Sequence, residues 1–491
     1  MGAFSVSRSA ARTRPGVNKR LIKDLQKALG QEGVLWRPEE LLLYEYDASV
    51  ERALPDAVVF PRTTQDVVRL VRLANQYEVP IVGRGAGTGL SGGALAPQGG
   101  LLVVFSRMKR ILEIDLANLR AGVEPGVVNL DLTRAVEDRG YYFAPDPSSQ
   151  KACTLGGNVA ENAGGPHTLA YGVTTNHVLG LELVLPTGEL VEVGGKTFDT
   201  PGYDLTGLLV GSEGTLAIVT KIIVRLCRLP EAVKTLLGIF ETVDDATETV
   251  ADLTARGITP AACEMLDQFC LGAVEAATHA GFPLDAAAVL LIEVEGLREA
   301  VEVQADQVEE VCRAHRAREV RRARSEVERE KLWAGRKNAF GAMGRLAPNY
   351  YVQDGVIPRT KLPQTLRAVI EIGARHGFQV GNIFHAGDGN LHPMILFDAR
   401  DREQFARVVA ASNEMMKFCV QMGGSITGEH GVGMEKQEMM PLLFSDDDLD
   451  AMARVKQVFN PTGRLNPAKM FPLSKSCGEL RVRPLPQRAG A

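Results

Sequence analysis

The stretch Val79-Pro80-Ile81-Val82-Gly83-Arg84-Gly85-Ala86-Gly87-Thr88-Gly89 decides the fold of this chain. A short apolar strand runs into alternating glycines, and Ser91-Gly92-Gly93 follows. A Rossmann fingerprint needs a helix directly after its glycines and an acid about 20 residues further on. The small residues, Pro97 and Gly99 exclude that helix, and no Gly-Lys-Ser/Thr is present for a P-loop. The pattern therefore predicts a nest of backbone N–H groups that binds a pyrophosphate without a helix dipole.

The flanking sequence predicts an α+β domain around this loop. Residues 57–60 predict a buried strand, and Thr63 with Asp66 predicts a capped helix with apolar residues at helical spacing. Another strand is expected at 101–105, and two further glycine-dense loops at 154–166 and 211–215. Three such loops within one domain indicate that the backbone approaches a ligand closely.

A second set of polar residues lies in the other half of the chain. His385 and His392 flank Gly387-Asp388-Gly389, and Gly428-Glu429-His430-Gly431 follows later. The glycines disfavour a helix, and on one continuous strand an odd offset would point the two histidines to opposite faces. A strand–turn–strand hairpin remains and folds His385 back towards His392. With Glu429 added, the set suits Zn²⁺ or a similar divalent ion with an open position. The alternative, a pair of hydrogen-bonded structural histidines, explains the histidines but not the whole set.

Composition bounds the class of protein. The chain has 491 residues, 45% hydrophobic, which predicts two or three domains of a globular protein. A net charge of −5 gives no electrostatic argument for nucleic acid or an anionic membrane. No apolar stretch reaches the roughly 18 residues of a membrane span. Seven cysteines without a CxxC pair argue against a disulfide framework and against an iron–sulfur cluster held by this chain, and favour a cytoplasmic location.

Several motifs together resemble one enzyme superfamily. Residues 57–225 resemble the FAD-binding domain of the vanillyl-alcohol oxidase and p-cresol methylhydroxylase superfamily, through motifs at 61–64, 83–89, 124–127, 145–147, 156–158 and 211–215. Residues 231–470 are similar to the C-terminal domain of its D-2-hydroxyacid dehydrogenase branch, through 332–337, 385–392 and 428–431. Within that branch, the FAD-linked catalytic subunits of bacterial glycolate oxidases resemble the chain most, with D-lactate dehydrogenases next.

The resemblance implies the fold class and domain order. We expect an α+β protein with a two-part FAD-binding domain, a cap domain with an antiparallel sheet, and a C-terminal segment that returns to the FAD domain. The expected order is a disordered basic N-terminus at 1–19, the FAD-binding domain at 20–228, the substrate or cap domain at 229–425, the C-terminal segment at 426–473, and a disordered tail at 474–491.

The resemblance also implies the cofactor and its contacts. FAD is expected to be non-covalent, since no histidine clearly serves as a flavin tether. The residues expected to bind it are Val82, Gly83, Arg84, Gly85, Ala86, Gly87, Thr88, Gly89, Pro145, Asp146, Gly156, Gly157, Asn158, Asn162, Gly164, Gly165, Glu213, Gly214 and Ile218.

The implied reaction is oxidation of a 2-hydroxy acid by hydride transfer from Cα to flavin N5. Arg336 is expected to grip the substrate carboxylate through two parallel hydrogen bonds. A divalent metal, Zn²⁺ by preference, is expected on His385, His392 and Glu429. His430 is then the general base, and Asn390 hydrogen-bonds the substrate. The competing hypothesis is a non-catalytic FAD-binding or assembly subunit of a larger complex, which would need no such residue set.

One departure from the family pattern bears on the substrate. Relatives that act on longer dicarboxylic hydroxy acids carry a lysine where Val352 stands here. A small monoacid, glycolate or D-lactate, is therefore expected. By resemblance, reduced flavin passes its electrons to a second FAD-type subunit and an iron–sulfur subunit, and then to quinone. The chain is expected in the cytoplasm, peripheral to the inner membrane through those partners.

Overall fold

A computed structural model describes residues 18–197 and 201–472 of the chain. The disordered ends predicted at 1–19 and 474–491 fall almost wholly outside the described residues.

The described α-helices are α1 Lys19–Leu29, α2 Pro38–Leu41, α3 Thr64–Tyr77, α4 Asn129–Arg134, α5 Leu155–Glu161, α6 Thr168–Tyr171, α7 Leu205–Leu209, α8 Val243–Ala255, α9 Gln268–Thr278, α10 Arg298–Ala314, α11 Glu326–Lys337, α12 Ala339–Met343, α13 Leu362–Arg375, α14 Arg402–Gln421 and α15 Asp446–Phe459.

The described strands are β1 Val34–Leu35, β2 Ala57–Val59, β3 Ile81–Arg84, β4 Leu101–Val104, β5 Ile111–Asp115, β6 Arg120–Val123, β7 Tyr141–Tyr142, β8 Val178–Val184, β9 Leu190–Gly194, β10 Ile218–Arg225, β11 Cys227–Arg228, β12 Ala232–Phe240, β13 Ala262–Asp267, β14 Ala288–Gly296, β15 Glu319–Arg322, β16 Asn349–Val352, β17 Gly355–Val356, β18 Val380–His385, β19 Asn390–Leu391 and β20 Pro393–Phe397.

The first part of the chain builds two sheets. One has the order β1-β2-β4-β3, with β2, β4 and β3 parallel, and α3 packs its apolar face on it. The predicted capping box is present, because Thr63 Oγ1 accepts from the N–H of Asp66 while the Asp66 carboxylate accepts from the N–H of Thr63. The other sheet, β5-β6-β10-β8-β9, is antiparallel. The glycine stretch after β3 is irregular as far as β4, as its sequence predicts.

The second part is an antiparallel sheet covered on both faces. Its main path runs β15-β12-β14-β13-β18-β19-β17, and β20 joins β18 to β16. One apolar core lies under α8, α10, α13 and α14, and another under α9, α11 and α12. The strands β12 to β14 are buried along nearly their whole length because helices cover both faces. This architecture confirms the α+β class.

Two predictions of local structure were wrong. The loop expected at 154–166 contains the helix α5, because Thr154 Oγ1 accepts from the N–H of Gly157 and caps it despite the two glycines. The stretch 301–331, expected to be one long helix, breaks after Ala314. The strand β15 follows, because its backbone pairs with β12 and so forms the edge of the sheet. Tertiary pairing here outweighs helix propensity.

The C-terminal segment returns to the first part of the chain. After α15, Leu465 forms a parallel bridge with Ile81 of β3. Asn466 donates its side-chain amide to the carbonyl oxygens of Gly93 and Glu213. Within the described residues, no helix combines the length and apolar character that crossing a membrane would require.

Candidate active site

The predicted hairpin brings the two histidines together. His385 ends β18 and pairs with Asn390 of β19 across the turn, and His392 follows directly. The two imidazole centroids lie 5.1 Å apart. The Asp388 carboxylate accepts from the N–H of Asn390, so this acid stabilises the turn. The Asn390 side chain itself is buried, with its Oδ1 free of hydrogen bonds to the described residues.

The loop 427–433 brings the second pair of groups to the same place. Glu429 Oε1 lies 3.2 Å from His385 Nε2 and 3.5 Å from His392 Nε2. The ring of His430 stacks on that of His392 at 4.9 Å. Glycine is required along this loop: a Cβ on Gly428 would lie 2.6 Å from the Asn390 amide, and one on Gly431 would lie 2.3 Å from the Glu161 carboxylate.

The donor set fits a divalent cation. One atom each of His385, His392 and Glu429 lie within 4.8 Å of one another. His392 is 1% exposed, yet neither of its ring nitrogens makes a hydrogen bond to the described residues. A buried imidazole in that state needs a partner. Two imidazoles and a carboxylate are the ligand types that Zn²⁺ and similar ions take.

The ionisation states of these groups follow from burial and proximity. Burial favours the neutral acid, but His385 and the neighbouring imidazoles lower the pKa of Glu429 to about 2. Burial disfavours a charged imidazole, yet Glu264 and Glu429 raise the pKa of His385 well above its ordinary value. A bound cation would replace that proton. Burial lowers the pKa of His430 to about 4, which leaves this ring neutral at physiological pH.

Two carboxylates of this site were missed by the sequence reasoning. Glu264 on β13 lies opposite His385 in register, and its oxygens are 2.8 and 2.9 Å from His385 Nδ1. His385 therefore donates its Nδ1 proton in a hydrogen bond to Glu264, and its Nε2 faces Glu429. The available signal was a lone acid within the apolar run 261–266. The other is Asp354, between β16 and β17, which accepts backbone N–H groups of the loop 427–433.

Arg336 lies deeper than a substrate-facing arginine would. It is fully buried, and its Nη2 is 2.5 Å from Glu264 Oε2. Glu264 thereby connects Arg336 to His385. Nε and Nη1 of Arg336 make no hydrogen bond to the described residues, but Arg336 does not line the cavity described next. Its contact with a substrate carboxylate stays a prediction.

A cavity of about 610 Å³ joins this site to the glycine loops. The predicted residues that line it are Gly83, Arg84, Gly85, Ala86, Gly87, Thr88, Gly89, Gly156, Gly157, Asn158, Glu213, Gly214, Ile218, Glu429 and His430. Lys337, Phe340 and Tyr350 line its cap side, and Leu465 and Asn466 of the C-terminal segment line it as well.

Other predicted cofactor residues do not line this cavity: Val82, Pro145, Asp146, Asn162, Gly164 and Gly165. Asp146 instead accepts from His167 Nδ1 at 2.9 Å and lies 3.4 Å from Lys337 Nζ. His167 Nε2 in turn lies 3.4 Å from Glu293 of β14. Asp146 thus belongs to a charged cluster that joins the first part of the chain to the cap.

The cradle of small residues fits a dinucleotide. A Cβ on Gly85 would lie 2.3 Å from Thr154 Oγ1, so the first glycine loop lies directly on the N-terminus of α5. Backbone N–H groups at a helix start and in such a loop bind phosphate groups.

Comparison with known proteins gives the family. Residues 55–194 match the FAD binding domain family, and residues 229–470 match the family of C-terminal domains of FAD linked oxidases. The glycolate oxidase subunit GlcD of Escherichia coli (strain K12) is 44% identical over 447 residues, 91% of this chain and 90% of the relative. The chain belongs to the FAD-linked oxidases.

More distant relatives agree with this assignment. The mitochondrial D-lactate dehydrogenase [cytochrome] of Arabidopsis thaliana is 32% identical over 85% of this chain and 74% of its own length. A substrate-bound p-cresol methylhydroxylase structure superposes with a TM-score of 0.79 at 18% identity, covering 93% of this chain and 97% of that one. The expected superfamily fold and the expected FAD are therefore confirmed, and this FAD-linked oxidase is an oxidoreductase.

Proposed function

We propose that this chain oxidises a small 2-hydroxy acid, glycolate or D-lactate, with a divalent cation beside its FAD. One observation carries the proposal: Glu429 and His430 line the same cavity as the glycine loops, and Glu429 also lies 3.2 and 3.5 Å from the buried imidazoles of His385 and His392. The glycolate oxidase subunit and the D-lactate dehydrogenase among the relatives support this substrate class.

FAD held in this cavity would supply a hydride acceptor, its N5 atom, for the hydrogen on the substrate Cα. The glycine loops of residues 83–89 and 156–158 are proposed to hold it non-covalently, and the cavity floor at 213–218 lies beside them. Small residues there admit the cofactor backbone closely.

His385, His392 and Glu429 are proposed to hold the cation, Zn²⁺ by preference. A cation in that position would supply Lewis acidity that favours loss of the hydroxyl proton. Glu264 orients His385 by accepting a hydrogen bond from the His385 Nδ1 proton. In many metal sites a carboxylate orients a histidine ligand in this way.

His430 is proposed as the general base. Its ring is neutral at physiological pH, since burial lowers its pKa to about 4. It can therefore accept the substrate hydroxyl proton on an imidazole nitrogen, and its stacking on His392 fixes the plane of the ring.

Cationic side chains receive the substrate carboxylate in this proposal. Arg336 offers the nitrogens that Glu264 does not engage, and Lys337 adds a second positive charge in the cavity lining. Asn390, buried beside the loop 427–433, is proposed to hydrogen-bond the substrate. Phe340 and Tyr350 exclude water on the cap side.

The electron route is proposed from the relatives and from composition. The Escherichia coli relative is a subunit of glycolate oxidase. This chain has no CxxC pair for a cluster. A second FAD-type subunit and an iron–sulfur subunit are proposed to take the electrons towards quinone, with the chain at the cytoplasmic side of the inner membrane.

Anaerobic flavin reduction tests the function. The purified protein, loaded with FAD and Zn²⁺, is mixed with glycolate, D-lactate or L-lactate, and the flavin absorbance near 450 nm is followed. Bleaching by glycolate or D-lactate, and its loss after chelation, is the expected result. A protein that stays yellow with every acid contradicts the proposal and favours a non-catalytic FAD-binding subunit.

A further inference from the structure

The loop 427–433 carries two of the proposed active-site groups but has no regular secondary structure. Its backbone N–H groups are satisfied by two buried carboxylates instead. Asp354 belongs to the cap sheet region, between β16 and β17, and Glu213 belongs to the FAD-binding part, just before β10. We propose that Asp354 and Glu213 are positioning residues that clamp this loop from the two domains and so orient Glu429 and His430.

Asp354 holds the first half of the loop. Its Oδ2 accepts from the N–H of Gly428 at 3.0 Å and from that of His430 at 2.9 Å, and the N–H of Glu429 is 3.3 Å from both oxygens. The Thr427 hydroxyl donates to the same oxygen at 2.6 Å. Buried Lys436 lies 3.3 Å away and neutralises the carboxylate. Successive N–H groups that converge on one anion form a rigid nest.

Glu213 holds the second half. Its Oε1 accepts from the N–H of Val432 at 2.7 Å, and its Oε2 accepts from that of Gly433 at 2.8 Å. Its own backbone is fixed, because its carbonyl accepts from the Asn466 side chain at 2.6 Å. The Glu213 carboxylate therefore acts on the loop through backbone atoms alone.

The geometry between the two anchors explains why both are needed. Gly431 lies between them with a φ of +82°, and a Cβ there would be 3.0 Å from Glu213 Oε1. A loop held only by Asp354 would leave residues 431–433 without an anchor, and the His430 backbone would then be fixed from one side only. The position of His430, the proposed base, therefore depends on how the domain that carries Asp354 packs against the domain that carries Glu213.

Hydrogen exchange tests the clamp without reference to any reaction. We expect the amides of 428–430 to exchange at least about tenfold faster in Asp354→Ala, and those of 432 and 433 likewise in Glu213→Ala, because exchange follows local opening. Asp267→Ala is the matched control: this buried carboxylate accepts backbone N–H groups of Cys270 and Asn382 in the same sheet, away from the loop. Unchanged protection of 428–433 in both clamp variants would overturn the proposal.

Two functional readouts follow from the same variants, and both rest on the proposed function: the first on its cation site and the second on its reaction. Zn²⁺ titration of the FAD-loaded protein is expected to give affinities about 10–100-fold weaker in both Asp354→Ala and Glu213→Ala. The rate of flavin reduction by glycolate, measured per bound FAD, should fall by a similar factor, and Asp354→Asn and Glu213→Gln, which keep one acceptor oxygen, should recover part of it.

The outcomes separate the two claims. If the parent protein oxidises no 2-hydroxy acid, the function fails while exchange still decides the clamp. If an alanine variant does not fold, Asp354→Asn and Glu213→Gln replace it in the exchange experiment, with smaller increases expected at the same amides. Faster exchange with unchanged Zn²⁺ affinity and unchanged flavin reduction would contradict a positioning role and leave these carboxylates purely structural.

Discussion

At the scale of single residues, the surroundings of His392 support the proposal that the donor set is a cation site. His392 is buried, and neither of its ring nitrogens makes a hydrogen bond to the described residues. A buried polar group in that state needs a partner. The neighbours of this imidazole are the rings of His385 and His430, and the carboxylates of Glu429 and Asp354, each 3.5 Å from His392 Nε2. The proposed cation would give this imidazole the partner that the described residues do not supply by hydrogen bonding.

The proposed base is tested by His430→Asn. We expect the rate of flavin reduction by glycolate to fall by about 10²–10⁴, because no group then takes the hydroxyl proton. FAD content should not change, since the glycine loops hold it. His376→Asn is the control, because this histidine pairs with Glu414 between α13 and α14. Turnover within about threefold of the parent would remove His430 from the base role.

The substrate preference is tested at Val352. This side chain is 7% exposed and belongs to an apolar cluster with Trp333, Ile383 and Met394. An unpaired ammonium placed there is costly, so Val352→Lys should lower the melting temperature and not improve glycolate turnover. Val352→Met is the control for side-chain length. A rise in glycolate turnover would count against the expectation that valine at position 352 goes with a small monoacid substrate.

At the scale of elements, the contact between the first glycine loop and α5 holds the cradle together. The loop passes so near the helix start that only hydrogen fits on Gly85. Thr154 both caps the helix and forms the surface on which the loop rests.

Gly85→Ala tests that contact. The added methyl group displaces Thr154 Oγ1, which removes the cap of α5 and shifts the loop. We expect FAD to bind about tenfold more weakly or worse, measured by titrating the apoprotein with FAD and following flavin fluorescence. Gly195→Ala, where a Cβ meets nothing within 4 Å, is the control. Equal FAD affinity in the two variants would show that the loop tolerates the shift.

Much of this element structure was predictable from local signals. The capping box at Thr63, the irregular glycine stretch after β3 and the hairpin between His385 and His392 follow from residues adjacent in sequence. The cap on α5 and the strand β15 were not predicted, because a short helix with two glycines and a charged edge strand carry weak local patterns. The roles of Glu264 and Asp354 were not predicted for a related reason. Their partners, His385 and the loop 427–433, are far away in sequence and are brought near only by the tertiary fold.

At the scale of the whole molecule, a charged cluster fastens the cap to the FAD-binding part. His167 lies between Asp146 and Glu293 and stacks on Trp333 at 5.7 Å. Burial disfavours the imidazolium, yet Asp146 and Glu293 raise the pKa of His167 to about 10. The same imidazolium and Lys337 outweigh burial and lower the pKa of Asp146 to about 2.

His167→Gln should therefore destabilise the protein in a pH-dependent way. A raised folded-state pKa contributes stability that is complete below the unfolded value of 6.5 and is lost as pH rises through about 10. Removing the imidazolium leaves Asp146 with Lys337 and Glu293 with Arg329 as their remaining cations, which costs up to about 3 kcal/mol. The melting-temperature deficit of His167→Gln should be large at about pH 6 and small at about pH 9.5. A deficit that is constant over this range would contradict a charged His167.

The return of the chain's last described segment has a consequence for biosynthesis. Leu465 bridges to Ile81, and Leu465 and Asn466 line the cavity built mostly by residues made far earlier. A nascent chain in which Leu465 and Asn466 are still inside the ribosome lacks these two residues of the cavity lining. It also lacks the hydrogen bond from the Asn466 side chain to the Glu213 carbonyl. We therefore expect tight FAD binding only after translation has passed this point.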